Sequence, residues 1–153
     1  MEIERKFLLK KLPDNINTYP CLHIEQAYLC RNPVIRIRRQ NDEYILTYKG
    51  KGSMVREEYN LPLNRESYVH LLPKADGIVL TKRRYIIPLE HSEGFERTLT
   101  IELDVFEGQM AGTVLAEVEF QSEDEAMRFI PPDWFGEDVT FNPAYHNSNM
   151  CYR

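Results

Sequence analysis

Acidic and basic residues recur two positions apart along this sequence. Glu2, Glu4 and Lys6 open it; Arg36 with Arg38, Thr47 with Lys49, Arg56 with Glu58, Lys82 with Arg84, Glu102 with Asp104, and Glu117 with Glu119 follow. Carboxylates grouped in this way are hard oxygen ligands of the kind Mg²⁺ or Mn²⁺ prefers, while arginine forks and lysines match phosphate oxygens. A metal-bound oligophosphate satisfies both sets at once. Without metal, neighbouring carboxylates such as Glu117 and Glu119 are expected to repel one another and a polyanion.

The spacing also says what must position these groups. Successive side chains on a strand point to opposite faces, so residues two apart share one face. Ile3 and Phe7 oppose Glu2, Glu4 and Lys6; Ile35 and Ile37 oppose Arg36 and Arg38; Val118 and Phe120 oppose Glu117 and Glu119. This alternation predicts antiparallel strands over residues 1–9, 22–30, 34–40, 43–49, 54–61, 77–89, 97–107 and 113–121. About eight strands suffice to close a barrel, so the expected fold is mainly β (α+β): a closed eight-stranded antiparallel barrel with a few covering helices.

Helical punctuation is sparse. Ser122-Glu123-Asp124-Glu125 has the form of a capping box, with the serine capping and the glutamate returning the bond, and predicts a short helix over residues 122–129. A second fits residues 65–72, with Tyr68, Val69, Leu71 and Leu72 as its apolar face and Pro73 at its end. The stretch after Pro143 reads as a last short helix or an irregular plug.

On any one strand the charges would mean a wet sheet face. Taken over most strands they converge on a lumen, where Lys6, Arg36, Arg38, Lys49, Arg56, Lys82 and Arg84 meet Glu2, Glu4, Glu58, Glu102, Asp104, Glu117 and Glu119. Confined charges cost several kcal/mol each unless paired, metal-bound or hydrated, so such a lumen makes a poor scaffold and a good polyanion site.

Composition narrows the alternatives. A chain of 153 residues fits one domain, 1–153. A net charge of −5 opposes nucleic-acid binding, which needs many phosphates neutralised. No apolar run approaches a membrane span and the N-terminus lacks a signal-peptide pattern, so no membrane partner and a cytoplasmic location are expected. Cys21, Cys30 and Cys151 form no Cys-x-x-Cys pair, and His23, His70, His91 and His146 show no zinc spacing, so surface or structural roles are expected for them. Gly50-Lys51-Gly52-Ser53 lacks the glycine spacing of a Walker loop and reads as a hairpin turn. Trp134, Phe135 and Tyr145 read as packing residues at one barrel end.

Glu2-Ile3-Glu4-Arg5-Lys6 resembles the Glu-x-Glu-x-Lys signature of the CYTH superfamily, the triphosphate tunnel metalloenzymes. The rest follows in order: Gln26-Ala27-Tyr28-Leu29, Arg36-Ile37-Arg38, Thr47-Tyr48-Lys49-Gly50, Arg56-Glu57-Glu58-Tyr59, Thr81-Lys82-Arg83-Arg84-Tyr85, Glu102-Leu103-Asp104-Val105-Phe106-Glu107-Gly108 and Ala116-Glu117-Val118-Glu119-Phe120. The resemblance implies an eight-stranded tunnel that holds a triphosphate, one divalent ion bridging phosphate oxygens and a second activating water. It implies Lys6, Arg36, Arg38, Lys49, Lys82 and Arg84 as the phosphate clamp, with Lys6, Lys49, Lys82 and Arg84 nearest the chemistry, and Glu2, Glu4, Glu117 and Glu119 as ligands of Mg²⁺ or Mn²⁺. Arg56 and Tyr28 are further substrate contacts, and Glu58, Glu102 and Asp104 additional acidic candidates.

Members of that family include inorganic triphosphatases, thiamine-triphosphatases, class IV adenylate cyclases and fungal RNA triphosphatases, and they often form homodimers. The cyclase-like pattern has a His-Phe pair ahead of the signature, where this chain has Met1 alone. With no evident base-recognition insert, hydrolysis of inorganic tripolyphosphate is the expected activity, and a non-catalytic polyphosphate-binding module is the alternative from another class. Tyr145 and Asn147 resemble a Tyr-x-Asn feature near the family's C-terminus, which implies that the tail gates one tunnel mouth.

Overall fold

Alternation along the chain builds ten strands: β1 (Glu2–Leu9), β2 (Cys21–Arg31), β3 (Val34–Gln40), β4 (Glu43–Lys49), β5 (Val55–Arg56), β6 (Glu58–Leu63), β7 (Asp76–Leu89), β8 (Leu99–Phe106), β9 (Val114–Glu119) and β10 (Phe135–Asp138). Three short helices accompany them: α1 (Arg65–Leu71), α2 (Glu123–Arg128) and α3 (Asn147–Met150). The structure is a computed structural model and describes residues 1–152. Paired strands run antiparallel in the order β10-β1-β9-β8-β7-β2-β3-β4-β6, and β5 returns to β1, so the sheet curls into a nearly closed barrel.

Each expected strand forms, but the one expected over residues 54–61 breaks at Glu57. Val55 and Arg56 pair with Ile3 and Glu2 of β1, whereas Glu58–Leu63 pairs with β4. One stave thus changes partner midway, and that change brings the two sides of the barrel together. The preceding turn permits it: Gly52 has φ of 120°, and a Cβ there would stand 2.2 Å from the Val55 carbonyl oxygen. β10 was not expected, because four residues give too little alternation. It takes the stretch of β1 edge that the two-residue β5 leaves open, through Phe7↔Asp138 and Leu9↔Phe135.

The apolar core lies outside the barrel. On one side Phe7, Ile101, Leu103, Val118, Phe120 and their neighbours pack beneath Ala126 and Phe129 of the α2 region. On the other, Ala27, Ile37, Leu46 and Leu63 pack under Tyr68, Leu71 and Leu72 of α1. Burying each large side chain contributes roughly 1.5–3 kcal/mol, so these two layers drive the sheet to curl with its charged face inward. A third cluster (Tyr28, Val34, Leu80, Phe106, Met150, Cys151) belongs to the inner face and blocks one end of the lumen.

The helices differ from expectation in detail. Ser122 caps α2 by accepting from the Glu125 N–H at 3.1 Å, but Glu125 returns its bond to the Gln121 N–H at 2.9 Å rather than to Ser122. Glu125 also pairs with Arg97 at 2.6 Å, which draws its carboxylate away from the capping position. In α1, Tyr68 is buried and donates its hydroxyl to Glu25, whereas Val69 is 53% exposed and not part of the packed face. None of the helices among the described residues is long and apolar enough to cross a membrane.

Candidate active site

Strand register brings the charged residues together. Glu4 lies opposite Glu119 and Lys6 opposite Glu117 across β1–β9; Glu117 faces Glu102 across β9–β8; Arg84 faces Asp104 across β8–β7. On the other wall Tyr28 faces Arg36, Gln26 faces Arg38, and Lys49 faces Glu58, while Glu2 faces Arg56 across the seam. The result is a cavity of about 270 Å³ inside the barrel. Glu2, Glu4, Lys6, Tyr28, Arg36, Arg38, Lys49, Arg56, Glu58, Lys82, Arg84, Glu102, Glu117 and Glu119 all line it.

Asp104 is the exception. Its carboxylate has no exposed surface and is saturated by Lys82 Nζ at 2.7 Å and by Arg84 Nε and Nη2 at 2.7 and 2.9 Å. Burial opposes its charge, but Arg84 and Lys82 hold its acid strength above that of an ordinary aspartate. It anchors two cations from behind and is not presented to the cavity as a metal ligand. Glu102 does line the cavity, and binds Arg84 Nη1 at 2.8 Å.

The remaining carboxylates fall into two groups. Glu117 lies 3.4 Å from Lys6 and 3.6 Å from Arg84, and although burial works against it, these cations keep it well below the usual carboxylate range. The repulsion expected at Glu117 is therefore offset by ion pairs. Glu2 pairs with Lys49 at 3.0 Å, yet burial and the shared hydrogen bond with Glu58 push it up to about 7. Against the upward push of burial, the same bond and one from Asn60 hold Glu58 down to about 2. Glu4 and Glu119 make no ion pair among the described residues; burial raises both, reinforced by Glu117 and Glu2 for Glu4 and by Glu102 and Glu58 for Glu119.

Among the described residues no group of three or more carboxylates, imidazoles or thiols stands ready as a metal cage. Mg²⁺ is nonetheless commonly held by one or two carboxylates together with phosphate oxygens and water. Glu4, crowded by Glu117 and Glu2 and without an ion pair among the described residues, suits that role, with Glu119 opposite it on the next strand.

The cations divide likewise. Lys6, Lys49, Lys82 and Arg84 are ion-paired. Arg36, Arg38 and Arg56 make no contact ion pair among the described residues: Arg36 donates to Thr47 Oγ1, Arg38 to Gln26 Oε1 at 2.7 and 3.0 Å, and Arg56 to the Gly50 carbonyl. The Arg36 Nε is buried with no acceptor. Burial, then Arg36 and Arg84, push Arg38 down to about 9, still charged at neutral pH. Three guanidinium groups that face the cavity without a contact ion pair among the described residues leave room for an anion with several oxygens.

Sequence reasoning missed part of the lining. His146, set aside as a surface or structural histidine, reaches the cavity together with Asn147 and Ser148, and its Nε2 lies 3.4 Å from the Thr140 carbonyl oxygen. Burial and Lys6 disfavour its protonation. Asn147 Oδ1 accepts from Gln26 Nε2 at 2.7 Å and from Lys82 Nζ at 3.0 Å, and the Tyr145 carbonyl accepts from Lys6 Nζ at 3.0 Å. The tail thus docks inside the barrel end. Only the Tyr-x-Asn spacing hinted at this, since an irregular segment carries no periodicity. Thr47 and Asn60 share the strand phase of Lys49 and Glu58, which places them on the inward face; Ser53, in a turn, has no such phase.

Residues 1–141 match the CYTH domain. An inorganic triphosphatase from Nitrosomonas europaea is 39% identical, over 98% of this chain and 96% of that protein. One from Acetivibrio thermocellus is 33% identical, over 97% and 92%. The crystal structure of the inorganic triphosphatase NE1496 matches with a TM-score of 0.69 at 35% identity, covering 100% of this chain and 95% of its own. A conserved hypothetical protein from Pyrococcus furiosus, 22% identical with a TM-score of 0.58 over 83% and 84% of the two chains, shares the fold.

Proposed function

Because this chain belongs to the CYTH domain family, we propose that it is an inorganic triphosphatase, which hydrolyses tripolyphosphate within the barrel. The observation that carries this reading is the trio Arg36, Arg38 and Arg56, which lines the cavity without a contact ion pair among the described residues. Their guanidinium groups bind the chain of phosphates. Lys6, Lys49, Lys82 and Arg84 complete the clamp and neutralise the charge that develops on the equatorial and leaving oxygens as water attacks the terminal phosphorus in line.

Glu2, Glu4, Glu117 and Glu119 hold Mg²⁺ or Mn²⁺, which when bound neutralises phosphate oxygens and lowers the pKa of water. Lys6 stands beside these acids and keeps Glu117 charged, while Lys49 offsets only part of the upward push of burial on Glu2. Tyr28 bounds the inner end of the cavity and contacts the chain. Catalysis then rests on positioning and charge, with no covalent nucleophile required.

A release panel tests this. Purified protein with Mg²⁺ or Mn²⁺ is given tripolyphosphate, thiamine triphosphate and ATP, with phosphate, pyrophosphate and cyclic AMP measured. Tripolyphosphate should turn over with the highest kcat/KM. Faster turnover of an organic triphosphate would move the assignment within the family, and binding without turnover of any would make the protein a polyphosphate-binding module.

A further inference from the structure

We infer that Thr140, oriented by Asp138, is a positioning residue for hydrolysis, whose hydroxyl fixes the backbone of Lys6 and so sets the ammonium that meets the phosphates; this rests on the triphosphatase reading. The edge of β1 shows why such a residue is needed. N–H groups of alternate residues point to the same side of a strand, and on the seam side Glu4 donates to the Met54 carbonyl at 3.0 Å. β5 reaches only Glu2 and Ile3, and β10, which ends at Asp138, pairs with Phe7 and Leu9. The Lys6 N–H falls in the interval between them and donates to the Thr140 hydroxyl at 3.0 Å. The Val139 N–H gives a bond to the Lys6 carbonyl at 2.8 Å, so both backbone groups of Lys6 are held from this side.

Asp138 turns the hydroxyl into an acceptor. Its Oδ1 accepts the Thr140 hydroxyl and, at 2.9 Å, the Thr140 N–H, which leaves the lone pairs of Oγ1 for Lys6. Its Oδ2 accepts from Arg5 Nη2 at 3.0 Å, while Arg5 Nη1 donates to the Ala126 and Phe129 carbonyls at the end of α2. Arg5 and Lys6 are neighbours that point to opposite faces of β1. The clasp therefore wraps the strand edge, tied to α2 outside the barrel and ending at Thr140, which is buried and lines the cavity. There Lys6 Nζ stands 3.4 Å from Glu117, and the Thr140 carbonyl oxygen lies 3.4 Å from His146 Nε2. Misplacing a group of the clamp by about 1 Å costs on the order of 10²-fold in rate.

Thr140→Val keeps the side chain's shape and removes the acceptor, whereas Thr140→Ser keeps the acceptor. Tripolyphosphate kinetics with Mg²⁺, below the melting temperature of each protein, should show kcat lower by about 10–100-fold in the valine variant with a smaller change in KM. The serine variant should recover most of that loss. In a Lys6→Ala background the valine change should add almost nothing, since its effect passes through Lys6. Wild-type kcat in the valine variant, a serine variant no better than valine, or equal losses with and without Lys6 would overturn the inference. If Thr140→Val does not fold, Asp138→Ala at the exposed end of the clasp replaces it, and unchanged kcat there overturns the inference as well. The Lys6 amide proton resonance reads the bond without turnover: it should move upfield in Thr140→Val and stay in place in Thr140→Ser. Should the unaltered protein hydrolyse nothing, the triphosphatase reading fails by itself. The resonance then decides whether Thr140 holds Lys6, and an unmoved signal in the valine variant would overturn that.

Discussion

Asp104→Asn puts the hidden support of the clamp to a quantitative test. The aspartate holds Lys82 through one contact of 2.7 Å and Arg84 through two, of 2.7 and 2.9 Å, with no water-exposed surface. Removing one member of a buried pair costs about 3–5 kcal/mol, because the partner charge is left behind. Arg84 keeps Glu102 at 2.8 Å and Glu117 at 3.6 Å, so its share is partly offset. Lys82 keeps the Asn147 oxygen, at 3.0 Å, and the Phe106 ring, at 5.2 Å, but no contact ion pair among the described residues. Burial already holds Lys82 down to about 7, and losing Asp104 lowers it further. Below that range the folded variant must bear an ammonium without its carboxylate, and as pH rises through it the lysine loses charge and its share of the loss shrinks. Urea unfolding should thus give a loss of about 3 kcal/mol at acid pH that shrinks on the alkaline side. Mn²⁺ affinity should hardly change, since Asp104 does not line the cavity. A loss under about 1 kcal/mol at both pH values would refute the anchoring role. So would a ~10–100-fold drop in Mn²⁺ affinity, the signature of a group that supports a metal.

Excess chelator should abolish tripolyphosphate hydrolysis and Mg²⁺ or Mn²⁺ should restore it; full turnover in chelator would defeat the proposed role of Glu2, Glu4, Glu117 and Glu119. Arg38→Ala should lower kcat/KM by roughly 10²–10³ while the metal-free protein stays folded, because removing the charge relieves its repulsion by Arg36 and Arg84; wild-type kinetics would refute the clamp. Glu117→Gln should reduce both turnover and metal-free stability, since Lys6 at 3.4 Å loses its partner; unchanged turnover would take Glu117 out of the metal set. Finally, Glu2 (raised to about 7), Glu4 and Glu119 bind more protons folded than unfolded, so metal-free stability should fall as pH rises from about 4.5 to 7. Glu58 (lowered to about 2), Asp104 and Glu117 act oppositely, so it should also fall below about 4.5, and melting curves across pH with chelator should peak near 4.5, with the depressed His146 partly offsetting the fall toward pH 7; a steady rise to pH 7 would contradict the assigned shifts.

The barrel was legible because each stave repeats one rule. Ile3 and Phe7 must find cover and Glu2, Glu4 and Lys6 must not, and the same holds for Ile37 against Arg36 and Arg38; a period of two states both facts at once. What could not be read was pairing. Val55–Arg56 and Glu58–Leu63 look like one strand in sequence, and only the position of β1 beside Arg56 divides them. The strand phase also ranks Asp104 with Glu102, yet two cations close around Asp104 and leave Glu102 at the cavity, a distinction that depends on which neighbours the register supplies. His146 and Asn147 were hidden for a different reason. They act through a segment fixed by Gly77 and the Ile78 N–H, contacts about seventy residues away that no local pattern encodes.

The shared edge of β1 has a consequence for synthesis. This strand needs β9 on one side and both β5 and the region around Thr140 on the other; the Lys6 N–H bonds a hydroxyl 134 residues downstream. At a translation rate of about 5–20 residues per second, β1 stays without its last partner for on the order of ten seconds. Meanwhile β2, β3 and β4, joined by short turns, can zip into a meander through local contacts. An unpaired strand is a template for association with other chains, and inward-pointing charge is one way natural strands resist it. Glu2, Glu4 and Lys6 would then guard the nascent chain with the same charges that later face the phosphate, so a neutral replacement at these positions would lower the yield of folded protein as well as its activity.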